Sequence, residues 1–551
     1  MIGCSLRSFA RVAFSVLMVS TVLLSARSAD AYSVLSHEEV VDMAWKEQLV
    51  PMLKSRFPGI TEDDIREAHA YAYGGSVIQD IGYYPFGSHY FSDMLHYVRP
   101  NEFVAALIRD STTPDEYAFA LGALAHFCGD TVGHPYVNQL TAAENPKLQH
   151  RFGSTVTYAE DPTAHLRTEF GFDVVEVAYG HYSQENYRDF IGFQVSKPLL
   201  ERAFQETYGL PMSDLIKHED LAIATYRKAV SALIPQMTRV AFVNYKNEIE
   251  QAAPGITKDK FMYRLNQTEY NKSFGTDFTR VGVRGHILAF LIKVTPKVGP
   301  LKALKLPIPN AQEQVLYLKS INAVVDQFKV YLAQIQAAPA PLPLPNAKGA
   351  QDAMKAAEKV GKDAEKFDKL AQQAKDTDDK ARKEKIAANV QKMAEKATAA
   401  AERKQAAVDK IGATGDVEAA KPTSSLASDS PITAPTTPML PDLDMDTGKP
   451  AHSGEYRLAD RTYAKLLGDL IDNSPKVPAG AAHTQIVDVA LASDIRHFFH
   501  APQINAEASL TPKDAAADAA MQTKVQADLL KLTAIAQPVA KKVAHAQQQV
   551  K

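Results

Sequence analysis

Cysteine is nearly absent from this chain. There are two, Cys4 and Cys128. Cys4 falls in a leading stretch expected to be removed, so no intramolecular disulfide can form afterwards, no disulfide-linked partner is expected, and redox chemistry is excluded. An excess of one charge is also missing: 61 Lys and Arg face 64 Asp and Glu, a net charge of −3. That balance offers no general attraction to nucleic acid or to anionic membranes, so any such attraction must be local. Beyond the first two dozen residues no stretch is apolar for the roughly 20 residues a bilayer span requires. No run of alternating strands is visible either, which points to an all-α fold.

What the chain has at its start is a leader pattern. Arg7 and Arg11 precede an apolar run from Val12 to Leu24, and Ser28-Ala29-Asp30-Ala31 follows with small residues where a signal peptidase reads. A basic start, a short apolar core and an Ala-x-Ala end describe a secretory signal peptide over residues 1–31. Cleavage after Ala31 would make Tyr32 the amino terminus and deliver a secreted or periplasmic protein.

Composition divides the rest. Residues 32–345 are rich in Tyr, Phe, Leu, Val and His, the makings of a packed core. Residues 346–420 are dominated by Ala, Lys, Glu, Asp and Gln, strong helix formers. The sparse apolar residues there (Phe367, Leu370, Ile386, Val390, Met393) sustain no heptad, so an exposed charged helix or helical hairpin is expected rather than a long coiled coil. Residues 421–450 turn to Pro, Ser and Thr and read as a disordered linker. Residues 451–551 regain helical spacing, over Tyr456 to Asp472 and again over Ala516 to Val550.

Within the first unit, helix starts recur. Ser36 with Glu39 three residues on, and Thr61 ahead of Asp64, are capping-box patterns. Thr113-Pro114-Asp115-Glu116 combines an N-cap, a first-turn proline and acids near the positive helix end.

Nine of the sixteen histidines lie between Tyr32 and His181, interleaved with acids at ligand-like spacings. Zinc takes imidazole nitrogen and carboxylate oxygen where thiolates are absent. His126 and Asp130 are one helical turn apart, so both leave the same face. His134 is a further turn on, about 12 Å from His126 by helical rise and able to serve a neighbouring metal. Pro135 beside it disfavours helical geometry and is expected to mark the helix end. His165 and Glu169 form a second i, i+4 pair. Upstream stand His37, Asp80, His89 and His96. Each taken singly reads equally well as a buried core histidine or a capping aspartate.

Taken in order, these residues resemble a known family. The start Tyr32-Ser33-Val34-Leu35-Ser36-His37, the segments Asp80-Ile81-Gly82-Tyr83 and His96-Tyr97-Val98, and the pairs His126-x3-Asp130-x3-His134 and His165-x3-Glu169 look like the zinc-dependent phospholipase C family. The related amino-terminal domain of glycosylphosphatidylinositol-specific phospholipase D shares the pattern. The resemblance covers roughly residues 32–250. It implies a helical bundle of the phospholipase C and single-strand nuclease type with up to three zinc ions. By matching position, Asp80, His96, His126 and Asp130 would hold the first ion, and His134, His165 and Glu169 the second. Asp130, His37 and the amino group and carbonyl of Tyr32 would hold the third. His89 competes with His96 for one role, and His150 is left unassigned. The step from Asp130 to His134 is two residues shorter than in the family's toxins and exoenzymes, which begin with Trp where this chain would have Tyr32.

The resemblance further implies phosphodiester hydrolysis, with Asp80 as general base and a metal hydroxide as the competing candidate for that role. The expected substrate is a phospholipid or other phosphodiester, met in transient contact with a membrane surface. The alternatives are a single-strand nuclease-like enzyme, which would need base-stacking aromatics such as Tyr71, Tyr73, Tyr83, Tyr84 and Phe86, and a non-catalytic zinc-binding scaffold. Nucleic acid is not the expected partner.

Overall fold

In the computed structural model, residues 34–179, 193–230, 310–337, 440–472, 487–500 and 512–537 are described. The leader, Tyr32, most of the Ala/Lys-rich segment's neighbourhood and the segment itself lie outside them. The chain divides into two units, one of which, Pro339–Thr436, contains no described residue. All described residues belong to the other, which runs up to Ala338 and resumes at Thr437.

That unit is all-α. Its α-helices are α1 (Val34–Ala44), α2 (Val50–Arg56), α3 (Glu62–Gly75), α4 (His89–Tyr97), α5 (Pro100–Asp110) and α6 (Pro114–Glu144). They continue with α7 (Pro146–Phe152), α8 (Pro162–Tyr179), α9 (Lys197–Tyr208), α10 (Met212–Leu215) and α11 (Glu219–Lys228). The series ends with α12 (Ala311–Ala337), α13 (Arg457–Asp472), α14 (Val489–His500) and α15 (Pro512–Ile535). A 3₁₀ turn, Ile78–Tyr83, follows α3. The one ladder of more than a single bridge among the described residues is a two-residue parallel pairing, Val487–Asp488 with Ala536–Gln537.

Two of the three helix starts are built as the sequence suggests. Thr61 accepts from the Asp64 backbone while the Asp64 carboxylate accepts from the Thr61 N–H, closing a capping box on α3. Thr113 caps α6 through the Glu116 N–H, with Pro114 in the first turn. Ser36 differs. It lies inside α1, and its hydroxyl is 2.6 Å from the Tyr317 hydroxyl on α12, so it ties two helices together instead of starting one.

Helix α6 is the centre of the bundle, buried along most of its length from Glu116 to Ala142. It packs on α3 by direct backbone approach. A Cβ added at Gly122 would lie 2.1 Å from the Ala72 carbonyl oxygen, and one at Gly75 would lie 2.0 Å from that of Phe119. Only glycine tolerates that closeness. The crossing is fastened by the Gln79 side chain, which donates to the Ala123 carbonyl at 2.9 Å.

Contrary to the expectation for Pro135, α6 runs straight through it to Glu144. Proline has no N–H for the carbonyl four residues earlier, that of Thr131. The notch is occupied by Gly448, at φ +65°, where an added Cβ would meet the Thr131 oxygen at 2.2 Å and Pro135 Cγ at 3.1 Å. The partner that tolerates the proline thus comes from a distant part of the chain.

Residues 440–450, at the end of the stretch whose composition reads as linker, are ordered, and their middle reaches the core. Leu440, Met445 and Asp446 are all buried. An isolated antiparallel bridge between Leu443 and Pro450 closes them into a tight loop. Inside it the Asp444 carboxylate accepts from the backbone N–H groups of Asp446 and Thr447 and from the Thr447 hydroxyl. Helix α13 then covers α4, burying Tyr463, Leu466, Leu467 and Leu470.

Candidate metal centre

Five elements deliver the side chains that the sequence groups together. His37 comes from α1, Asp80 from the 3₁₀ turn, and His96 from α4. His126, Asp130 and His134 come from α6, and His165 and Glu169 from α8. All are buried. The 3₁₀ turn is seated by Gly82, whose N–H donates to Ser92 Oγ at 2.9 Å and whose missing side chain admits the Ser88 carbonyl. That places Asp80 opposite His96.

The side chains fall into three groups able to hold a metal ion: His37, His126 and Asp130; Asp80, His96 and His126; and His134, His165 and Glu169. Asp130 links the first two. Its Oδ1 lies 3.6 Å from His37 Nε2, and its Oδ2 lies 3.1 Å from His126 Nε2 and 3.3 Å from His96 Nε2. Asp80 Oδ1 stands 3.3 Å from His96 Nε2 and 3.9 Å from His126 Nε2. In the third group His165 Nε2 is 2.7 Å and His134 Nε2 3.6 Å from Glu169 Oε1.

Three rings are aimed by backbone carbonyls. Nδ1 of His96 is 2.8 Å from the Ser92 oxygen, Nδ1 of His126 is 2.8 Å from the Ser76 oxygen, and Nδ1 of His134 is 2.6 Å from the Met445 oxygen. Donation from Nδ1–H fixes the tautomer and leaves Nε2 as a lone-pair donor facing inward. The glycine crossing of α3 and α6 is what carries the Ser76 carbonyl to His126.

Protonation follows from the same surroundings. Burial, then the neighbouring His126, hold His37 well below the ordinary imidazole value; burial and His134 do the same to His165. Burial opposes charge on His96, but its hydrogen bonds to Asp130 and Asp80 outweigh that and raise its pKa well above normal. Burial also opposes charge on Asp130, and there His126 and His96 win, keeping the carboxylate well below its usual range. An ionised Asp130 and neutral His37 and His165 are in the state in which such groups ligate metal, while His96 would give up its proton to do so. The fit extends to hydrogen bonding: the Asp130 oxygens face only imidazole nitrogens that are themselves candidate ligands, and Nε2 of His134, also buried, makes no hydrogen bond. Burial of such atoms is costly without a partner, and a cation in each group would supply one. With imidazole and carboxylate donors and no thiolate, the set suits zinc.

Of the competing histidines, His96 is in the cluster. His89 is exposed at the surface end of α4, its ring 5.3 Å from that of Tyr83, and His150 is exposed on α7, away from the site. Tyr32 lies outside the described residues.

One participant is absent from the sequence reading. Asp446 Oδ1 lies 3.2 Å from His134 Nδ1, and its Oδ2 accepts from Tyr97 at 2.9 Å and from Tyr456. The available signal was the alternation Asp442-Leu443-Asp444-Met445-Asp446 ahead of Thr447-Gly448, a half-buried acidic pattern unusual for a linker.

No curated protein and no solved structure matches the chain. The stretch of residues 36–216, which carries every one of the clustered side chains from His37 to Glu169, matches the family model described as zinc dependent phospholipase C.

Proposed function

We propose that the protein is an exported zinc-dependent phospholipase C, cleaving phospholipids to diacylglycerol and a phosphorylated head group. The observation that carries this reading is Asp130, whose two oxygens face different histidine groups inside one buried cluster. A carboxylate so divided can hold two cations close together, and clustered divalent cations are suited to phosphodiester hydrolysis. Zinc held there would polarise a phosphoryl oxygen, bring the pKa of a water toward neutrality and offset charge on the leaving oxygen.

The chain's own contributions are separate. His37, Asp80, His96, His126 and Asp130 would hold ions in the linked groups, and His134, His165 and Glu169 an ion in the third. Asp80 offers a carboxylate oxygen to take the proton of an attacking water. Export rests on the leader pattern of residues 1–31 and would free the Tyr32 amine. Among the described residues no helix is long and apolar enough to cross a membrane.

The nuclease alternative is less well supported. Of the aromatics it requires, Tyr73 and Tyr83 are buried, Tyr71 and Tyr84 are partly buried, and only Phe86 is exposed, at 56 %. Stacking a run of bases needs several open ring faces. The test sets phosphatidylcholine vesicles against single-stranded DNA, each with chelator and with zinc restored. Lipid cleavage abolished by chelator and recovered with zinc supports the proposal. Cleavage of DNA alone would favour the nuclease, and cleavage of neither would leave a zinc-binding scaffold.

A further inference from the structure

The loop bridged by Leu443 and Pro450 touches the metal centre from a position far along the chain from the family-matched residues 36–216. Its backbone meets both sides of the centre. The Met445 N–H donates to the His96 carbonyl at 3.2 Å, and the Met445 carbonyl accepts from His134 Nδ1 at 2.6 Å. The next residue brings its carboxylate to within 3.2 Å of the same nitrogen.

The loop is held in place rather than merely lying there. Asn138, one turn beyond His134 on α6, donates its side-chain N–H to the Asp446 carbonyl at 2.9 Å. Tyr97 and Tyr456 grip Asp446 Oδ2. Gly448 fills the notch that Pro135 leaves in α6, one residue past His134. All of these fastenings converge on one ring.

We propose that Asp446 is the positioning residue of His134, so that the third ligand group is completed by residues 444–448. This rests on the zinc-binding reading above. The carbonyl of Met445 accepts a hydrogen bond from Nδ1–H and so sets the tautomer. The carboxylate of Asp446 places a negative charge beside that nitrogen, making Nε2 a better donor to a cation. An imidazole backed by a carboxylate or carbonyl is the usual arrangement at zinc, and loss of the partner typically weakens metal binding about 10- to 100-fold. The catalytic unit is therefore discontinuous, and the carboxyl-terminal region is part of it rather than an appendage.

The test measures zinc affinity and count by chelator competition on the full-length protein, with far-ultraviolet circular dichroism to check folding. Asp446→Asn keeps the shape and removes the charge. It is expected to weaken one ion about 10- to 100-fold and leave the others unchanged. Asp446→Glu should recover part of the loss. Glu169→Gln supplies the locality check: in that background Asp446→Asn should weaken the same ion further and leave the affinity of the other ions unchanged. Tyr456→Phe removes one hydrogen bond to the same carboxylate and should weaken the same ion several-fold. If Asp446→Asn, or Tyr456→Phe should the former not fold, binds zinc as the wild type does, the assignment is overturned. A comparable weakening of the other ions would also overturn it, by showing a general structural role. A wild-type protein that binds no zinc would instead sink the functional reading itself.

Discussion

Asp130→Asn should be the most damaging single change to the metal centre. The substitution keeps the shape of a side chain that is wholly buried and removes its charge. In the native cluster that charge lies 3.1 Å from His126 Nε2, 3.3 Å from His96 Nε2 and, through the other oxygen, 3.6 Å from His37 Nε2. At an effective dielectric of about 20, opposite unit charges about 4 Å apart attract by about 4 kcal/mol. An amide oxygen still offers a neutral donor, so roughly half of that should be lost at each group, about 2 kcal/mol or some thirtyfold in affinity. Because Asp130 belongs to the first group and also reaches His96 of the second, two ions should weaken together, whereas Glu169→Gln should weaken one. Wild-type protein should hold two to three zinc ions per chain. Elemental analysis after dialysis against graded chelator should show Asp130→Asn losing more than one of them, with essentially all turnover gone and the helical signal kept. Retention of the wild-type zinc count, or of normal activity, would reduce the His126–Asp130 pair to a helix-surface coincidence and end the multinuclear reading.

Three further outcomes are expected. Excision of residues 346–436 with the flanks rejoined should leave hydrolysis per zinc within a few-fold, whereas extending the cut through residue 450 should abolish it; equal activity of the two deletions would contradict the placement of the 443–450 loop. Gly448→Ala adds a Cβ 2.2 Å from the Thr131 oxygen at φ +65°, which should cost about 2 kcal/mol and lower the unfolding midpoint by about 5 °C; an unchanged thermal scan would refute it. Zinc uptake at pH 7 should release a proton from His96, measured calorimetrically in two buffers of different ionisation enthalpy, and affinity should rise with pH; uptake with no proton released would contradict the raised pKa.

The sign of that last effect follows from the zinc-free state. His96 has a raised pKa in the fold, so its contribution to stability is full below the unfolded value of about 6.5 and is lost as pH climbs through the folded one. Asp130 is depressed, so its contribution is present above the ordinary carboxylate value and is lost as pH falls through the depressed one. Zinc replaces the proton on His96 Nε2.

What could be read from the sequence was local. The i, i+4 pairs His126–Asp130 and His165–Glu169 are legible because helical geometry alone puts each pair on one face, and the caps at Thr61 and Thr113 because their partners are three residues away. Choosing His96 over His89 took the family resemblance, since both lie on α4 and only the fold decides which is turned inward. The readings that failed depended on distant residues. Ser36 resembles a cap until Tyr317 claims its hydroxyl. Pro135 resembles a helix end until the Gly448 backbone settles against the carbonyl it strands. Asp446 sits in a Pro- and Thr-rich neighbourhood with no helical period, and nothing near it in sequence says that a histidine some three hundred residues earlier is its neighbour.

That separation has a consequence in time. His134 and the Met445 carbonyl it bonds are 311 positions apart. At the 5–20 residues per second typical of synthesis, roughly 15–60 s pass between the making of one and the making of the other. For most of that interval, once Glu169 has been made, the nascent chain carries all the clustered histidines and acids but not the strap that orients His134, and the Thr131 carbonyl has no glycine against it. A ribosome that stops anywhere between residues 169 and 445 therefore leaves a chain with its ligands present and its third metal group unfinished.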